Sequence, residues 1–168
     1  MEIININLNN SDLDDYPNVV NECKSILNEN LVSNGGFLRQ ANIFEQDFDW
    51  SNLLIARNEN QIIGFALIRN SFNTHNLKDV TSYYYISEIA VKNDYKRKGV
   101  GTELMTTATS IIGDKPLVAS VLKENEPSLA LTSKFMKCFG ESESKRYLRF
   151  VDVNSYKKLY GEKIGHSI

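Results

Sequence analysis

The run Ile86-Ser87-Glu88-Ile89-Ala90-Val91-Lys92-Asn93-Asp94-Tyr95-Lys96-Arg97-Lys98-Gly99-Val100-Gly101-Thr102 narrows the choice of folds more than any other part of the chain. It opens on apolar, β-favouring residues and passes through three consecutive cations and two glycines. It then continues into Leu104, Met105, Ala108, Ile111 and Ile112 at helical spacing. The amides at a helix start have no intrahelical partner and lie at the positive end of the dipole. Glycines let an anion approach that backbone, and Lys96, Arg97 and Lys98 add charge, so the segment has the chemistry of a pyrophosphate site. A solvated basic turn would explain the charges but not the strand-loop-helix setting. Two nucleotide motifs fail on detail. A Walker loop needs Lys between the last glycine and Ser/Thr, but Gly101 is followed directly by Thr102. A dinucleotide fingerprint needs a small residue where Leu104 stands.

The rest of the chain supplies the company this segment keeps. Residues 3–8 read as a first strand, and Pro17, Val19, Val20, Cys23, Ile26 and Leu27 as an amphipathic helix with Asp12, Asp14 and Asp15 at its positive end. Over residues 30–49, Gly35-Gly36 is a break, and Phe37, Leu38, Ile43, Phe44 and Phe48 imply a short helix or a covering loop. Residues 53–56 and 62–68 flank Asn58-Glu59-Asn60-Gln61 as a hairpin. After a polar loop over 70–82 come the strand Tyr83–Val91, the helix Thr102–Ile112 stopped by Gly113, and the strand Leu117–Leu122. A helix over Asn125–Phe139, capped by Asn125 with Pro127 in its first turn, and a strand over Tyr147–Val153 complete the reading. With 168 residues and no repeat or linker, the chain is expected to be one α+β domain.

Composition excludes several classes. A net charge of −2 argues against a general nucleic-acid binder. No apolar run approaches the roughly 20 residues of a membrane span, and Met1-Glu2-Ile3-Ile4-Asn5 lacks the marks of a signal peptide, so a cytoplasmic location off the membrane is expected. Cys23 and Cys138 lack metal-type spacing and sit on apolar phases of helix-like segments, as buried small hydrophobes do. With only His75 and His166, and neither in a ligating pattern, no metal is expected. The near-neutral total hides an asymmetry: residues 1–60 carry ten acids and three bases, residues 61–168 sixteen bases and eleven acids. That division suits two ligands of opposite charge.

Ile89-Ala90-Val91, a spacer, Tyr95 and then Lys96-Arg97-Lys98-Gly99-Val100-Gly101 resemble the acyl-CoA motif of GNAT-type N-acetyltransferases, written Gln/Arg-x-x-Gly-x-Gly/Ala. Lys96 departs from its first position but keeps the charge, and the resemblance extends over about 53–153 through the order of strands and helices. It implies a mixed, mostly antiparallel sheet of six to seven strands flanked by helices and splayed at the acetyl-CoA cleft. It also implies a division into an acceptor side over 1–50, a core with the acyl-CoA site over 51–153 and a tail over 154–168. The implied reaction is acetyl transfer from acetyl-CoA to a primary amine, by direct attack in a ternary complex.

The resemblance places the cofactor on matching positions. Main-chain groups around Ile89, Ala90 and Val91 would hold the pantetheine arm and acetyl carbonyl, and Lys96, Arg97, Lys98, Gly99, Val100, Gly101 and Thr102 the pyrophosphate. Asn125 matches the family's asparagine, as ligand contact or helix cap, and Ser128 adds a contact one turn on. Glu88 is the expected general base. Strand alternation puts it on the face of Ile86 and Ala90, opposite Ile89 and Val91. A carboxylate there needs water, an ion-pair partner or a substrate amine, and both a base and a salt bridge stay open. Many relatives use a tyrosine acid on the helix after the fifth strand. Here no Tyr lies between Tyr95 and Tyr147, and Thr132, Phe135 or Met136 fill the matching slots. Tyr84, Tyr85 or water are left for that role, although Tyr83-Tyr84-Tyr85 reads first as strand packing and acceptor-pocket wall.

Asp12, Asp14, Asp15, Glu45, Asp47 and Asp49 favour a small cationic or antibiotic-like acceptor if they face the cleft. A peptide N-terminus or lysine is the second option. A non-catalytic acyl-CoA-binding module is the reading from another class. Homodimerisation stays open.

Overall fold

The structure, a computed structural model, describes residues 1–9, 11–33, 42–72 and 75–161, without the side chains of 31–33. The expectations for Gly35-Gly36, Phe37, Leu38 and His166 fall outside these residues. Among the described residues the strands are β1 (Glu2–Asn7), β2 (Trp50–Asn58), β3 (Gln61–Phe72), β4 (Ser82–Val91), β5 (Leu117–Leu122), β6 (Met136–Glu141) and β7 (Tyr147–Asp152). The helices are α1 (Pro17–Ser33), α2 (Val100–Ile111), α3 (Glu126–Phe135) and α4 (Val153–Tyr160). The strands form one sheet in the order β1-β2-β3-β4-β5-β7-β6, with β4 and β5 parallel and every other neighbouring pair antiparallel.

Helices cover both faces. On one, Leu104, Met105 and Ala108 of α2 and the half-buried Leu129 and Leu131 of α3 pack on Leu54, Ala66, Ile68, Ile86 and Phe150. On the other, α1 lays Val20, Cys23, Ile26 and Leu27 on Leu53, Ile55, Phe65 and Leu67, each such side chain contributing about 1.5–3 kcal/mol when fully buried. Phe44 joins this cluster from a 3-10 turn over Ile43–Glu45, its ring 5.5 Å from that of Phe65. Beyond α1 on the same face, Leu77, Tyr83, Val118 and Val151 pack with Tyr156, Leu159 and Tyr160 of α4.

Several elements differ from expectation for visible reasons. The acids before α1 form their own 3-10 turn over Leu13–Asp15, where the Leu13 amide donates to Asp12 Oδ1 (2.8 Å) and the Asp12 amide to Asp15 Oδ2 (3.0 Å). Pro17 then starts α1, where its fixed φ and missing N–H are tolerated. The expected helix over 125–139 ends at Phe135, and 136–141 become β6, paired with β7 from Met136↔Asp152 to Glu141↔Leu148. Cys138 therefore lies half-buried on a strand, whereas Cys23 is buried as expected. The last strand stops at Asp152, whose Oδ1 accepts from the Ser155 amide (2.9 Å) and caps α4 within the expected tail.

Candidate active site

The centre of the molecule is the place where β4 and β5 part. Their ladder consists of Tyr84↔Leu117 and Tyr85↔Val118. Beyond it β4 stays paired with β3, and β5 with β7 as far as Leu122↔Tyr147. The facing edges over 86–91 and 119–122 thus open into a slot through the sheet. A bulge lies at the fork: Ile68 pairs with Ile86 and Leu67 with Glu88, leaving Ser87 as the extra residue. Bulges bend and twist the strand that carries them, and this one sits just past the last β4–β5 pair.

The bulge also changes the facing of Glu88. Paired residues in an antiparallel ladder share a face, so Glu88 lies with Leu67 and Ala90, opposite both Ile86 and Ile89. The expected sharing of a face by Glu88 and Ile86 fails, because simple alternation cannot anticipate an inserted residue.

The main chain of β4 is sorted by the same register. Lys92 N donates to Ile63 O (2.8 Å), which makes Lys92 and Ala90 the residues bonded to β3 and turns the N–H and C=O of Ile89 and Val91 toward the slot. Ala90 is buried among the α1-side core and its main chain is turned away. At the slot edge the Ile89 amide meets Oε1 of Glu88 (3.2 Å), which fixes the carboxyl group beside the opening. Oε2 is enclosed with no hydrogen-bond partner among the described residues, as is the Ser87 hydroxyl. Burial pushes the Glu88 carboxyl up to about 8, only partly offset by the Ile89 hydrogen bond.

The far end of β4 leads to the glycine loop. Lys96 is half-buried and Arg97 and Lys98 exposed, with Lys98 Nζ 5.4 Å from the centre of the Tyr95 ring. Arg97 (φ 62°) and Gly99 (φ 86°) both take left-handed conformations. A Cβ at Gly99 would meet nothing within 4 Å, so its glycine serves the turn. Gly101 serves a close approach, since a Cβ there would lie 3.0 Å from Leu131 Cδ2 of α3. Within α2 the amides of Val100, Gly101 and Thr102 precede the first intrahelical bond, Glu103 N to Gly99 O (3.0 Å). Across the slot, Asn125 caps α3 by accepting from the Ser128 amide (3.3 Å). Helix starts therefore flank the slot at the C-terminal ends of both parallel strands.

Sequence reasoning missed the tie that fixes this loop. On α1, Asn30 Nδ2 donates to Ile26 O (2.9 Å) and to Val91 O (2.8 Å), and Glu29 Oε2 accepts from the Asn93 amide (2.9 Å). Only a polar residue near the end of an amphipathic helix hinted at it. His75, given no role from sequence, stacks on Tyr85 with ring centres 4.5 Å apart. Among the described residues there is no group of three or more His, Cys, Asp or Glu that could hold a metal, and no helix long and apolar enough to cross a membrane.

None of the acids expected to favour a cationic acceptor is buried. Asp12 and Asp15 cap their turn, Glu45 pairs with Lys24 (2.9 Å), and Asp12, Asp14, Asp15, Glu45, Asp47 and Asp49 are all exposed. The slots for a tyrosine acid are packed: Thr132 and Met136 are buried and Phe135 half-buried against the core.

An α+β protein whose sheet opens between two parallel strands, with a helix start on either side, is built to take an extended anionic molecule in the slot. The family model described as "Acetyltransferase (GNAT) family" matches residues 14–136, and the chain belongs to that family. No curated protein matches it in sequence. Its fold is shared with a Pyrococcus horikoshii protein, 21% identical over 90% of this chain and 98% of that one, with a TM-score of 0.65. It is also shared with an IAA acetyltransferase from Bacillus cereus (15% identical, 90% and 99% covered, TM-score 0.56). A third likeness is to the aminoglycoside N-acetyltransferase AAC(6')-Iy in complex with CoA (17%, 86% and 94%, TM-score 0.56).

Proposed function

We propose that the protein transfers the acetyl group of acetyl-CoA to a small primary amine within a ternary complex, with Glu88 as general base. The observation that carries this reading is the placement of Glu88: a raised carboxyl fixed at the edge of the slot beside main-chain groups that have no strand partner. Residues 51–153 form the core with the acyl-CoA site, residues 1–50 contribute to the acceptor side, and 154–168 form the tail.

The residues present fit acetyl-CoA. The amides of Val100, Gly101 and Thr102 receive the pyrophosphate, with Lys96, Arg97 and Lys98 adding charge and Gly99 giving an unobstructed approach. The Ile89 and Val91 main chain lines the path of the pantetheine arm. Val91 offers its N–H, since its C=O is held by Asn30. Asn125 and Ser128 border the slot from α3. When bound, acetyl-CoA supplies an activated acyl carbon and a thiolate leaving group.

The amine nitrogen attacks that carbon as the C–S bond breaks, and the amine proton passes to Glu88. The Ile89 N–H, released from Oε1 once the carbonyl oxygen takes its place, is positioned to stabilise the charge gathering on that oxygen. Water protonates the thiolate. Tyr85 is a poor acid here because burial raises its hydroxyl pKa, and Tyr84 is packed with the opposite face under Lys115 Nζ, 4.5 Å from its ring.

Thiol release from acetyl-CoA, followed over a panel of amines and short peptides, tests the reading. Turnover with small amines supports it, and turnover with peptides alone moves the acceptor to a protein terminus or lysine. Acetyl-CoA binding without turnover on any amine identifies a non-catalytic acyl-CoA module instead.

A further inference from the structure

On the face that carries Glu88, α1 covers the β1–β4 side and α4 the β7 side. Between them lie two arginines that the proposed transfer chemistry leaves unused. Arg69 on β3 faces Tyr85 across the ladder, and its guanidinium carbon sits 4.1 Å from the centre of the Phe48 ring and 4.7 Å from that of Tyr85. Arg149 on β7 faces Ser120 on the open strand β5, and its Nη1 donates to His75 O (3.1 Å). The His75 ring stacks on Tyr85, so His75 borders both groups: its carbonyl accepts from Arg149 and its ring lies on the Tyr85 side chain that Arg69 also contacts. Burial, with both arginine charges adding to it, holds the His75 imidazole pKa down to about 4, so it adds no positive charge at neutral pH.

What these arginines lack is an anion. Among the described residues neither forms an ion pair, and the Nε atom of each is enclosed with no acceptor. The Nε–H and Nη–H groups of a guanidinium form a planar fork that matches a carboxylate, and leaving buried donors unmet is costly. Glu88 does not answer them: its carboxyl is held high by burial, with no arginine charge pulling it down. Two guanidinium charges on this face repel an amine that has no anionic group of its own.

We propose that the acceptor is a small amine that also bears a carboxylate, of the amino-acid class, with the carboxylate held between Arg69 and Arg149 and the amine presented to Glu88. The spacing agrees, because Arg69 and Leu67, the partner of Glu88, are two residues apart on β3, about 7 Å along the strand. This specificity rests on the acetyl-transfer reading, but the anion site itself has a readout that does not need transfer.

The test compares the twenty free amino acids with their carboxamides as acceptors for CoA release, and N-acetylamino acids with N-acetylamino-acid amides for binding by calorimetry. Wild-type protein is expected to favour the best acid over its amide about tenfold or more in kcat/KM, and its N-acetyl product similarly in affinity. Arg149→Gln and Arg69→Gln should bring both ratios close to one through acceptor KM, with KM for acetyl-CoA unchanged, while Arg149→Lys retains part of the preference. Amides used as well as acids, or variants that weaken acid and amide equally, would overturn the proposal and leave the arginines as packing. If no amine releases CoA but N-acetylamino acids still bind in preference to their amides, the anion site stands and the transferase reading falls. If neither is bound in preference, the anion site falls whatever amine is acetylated.

Discussion

The cofactor side and the acceptor side of the slot are built on different principles. On the side proposed for the cofactor, the groups on offer belong to the main chain: consecutive amides at the start of α2, a left-handed Gly99, and the Ile89 and Val91 edge. Of the charged side chains there, Arg97 and Lys98 are exposed and Lys96 is half-buried. On the side proposed for the acceptor, the groups are side chains brought to one face from separate strands, with Arg69 on β3, Glu88 on β4 and Arg149 on β7. Their polar atoms are enclosed and short of partners. A site made of contiguous backbone tolerates substitution everywhere except where space or φ is fixed, whereas a site made of convergent side chains depends on each one.

The sharpest break of that contrast is at Gly101. A Cβ there would press on Leu131 Cδ2 at 3.0 Å, and an acid also places negative charge at the start of α2, where the pyrophosphate is proposed to bind. Gly101→Asp is expected to weaken acetyl-CoA binding by about a hundredfold or more by calorimetry, with Gly101→Ala showing the steric part alone. Unchanged affinity in the acidic variant would remove this loop as the pyrophosphate site.

Next in size is Glu88. Glu88→Gln is expected to lower kcat by about a hundredfold with acetyl-CoA affinity retained. The wild-type rate should rise with pH and level off above about 8, a limb that the variant lacks. Stability carries the same signature with the opposite sign. Because burial raises this carboxyl above its ordinary 4.5, the folded state keeps a proton between pH 4.5 and about 8 that the unfolded chain releases. Wild-type stability therefore falls as pH rises through that window, and Glu88→Gln loses this contribution to the slope, which paired melts at pH 5 and pH 8 would show.

The smallest effect is expected at Asn30. Asn30→Ala removes the tie from α1 to Val91 O, costing about 1 kcal/mol in denaturant melts and raising KM for acetyl-CoA only a few-fold. A loss as large as that of Gly101→Asp would show that side-chain support matters on the cofactor side too, and would blur the distinction between the two sides.

Legibility followed the same division. Strand, basic glycine loop and helix are contiguous, so Val91, Gly99 and Gly101 could be placed from local sequence. The helix over 125–139 could not be ended correctly: Phe135, Met136 and Phe139 keep a helical period, and the strand of 136–141 forms because β7 offers it a hydrogen-bonding edge. The facing of Glu88 was lost to one inserted residue at Ser87. The six N-terminal acids looked like a cationic-acceptor site in composition, yet they are exposed and partly spent on a turn cap and the Lys24 pair.

The sequence by itself therefore determined the α+β class, the order of most elements, the family motif and the glycine loop, all of which depend on neighbours within a few residues. Tertiary structure decided where β4 leaves β5, which edge Ile89 and Val91 present, and which side chains meet across the sheet. Arg69, Tyr85 and Arg149 are separated by up to 80 positions, and ladder register alone sets them on one face. Composition showed only that the basic surplus lies in residues 61–168. The fold sets Arg69 and Arg149 apart from the glycine loop, on the face of Glu88, because pairing between distant strands is set by register and burial rather than by the charge of a stretch of chain.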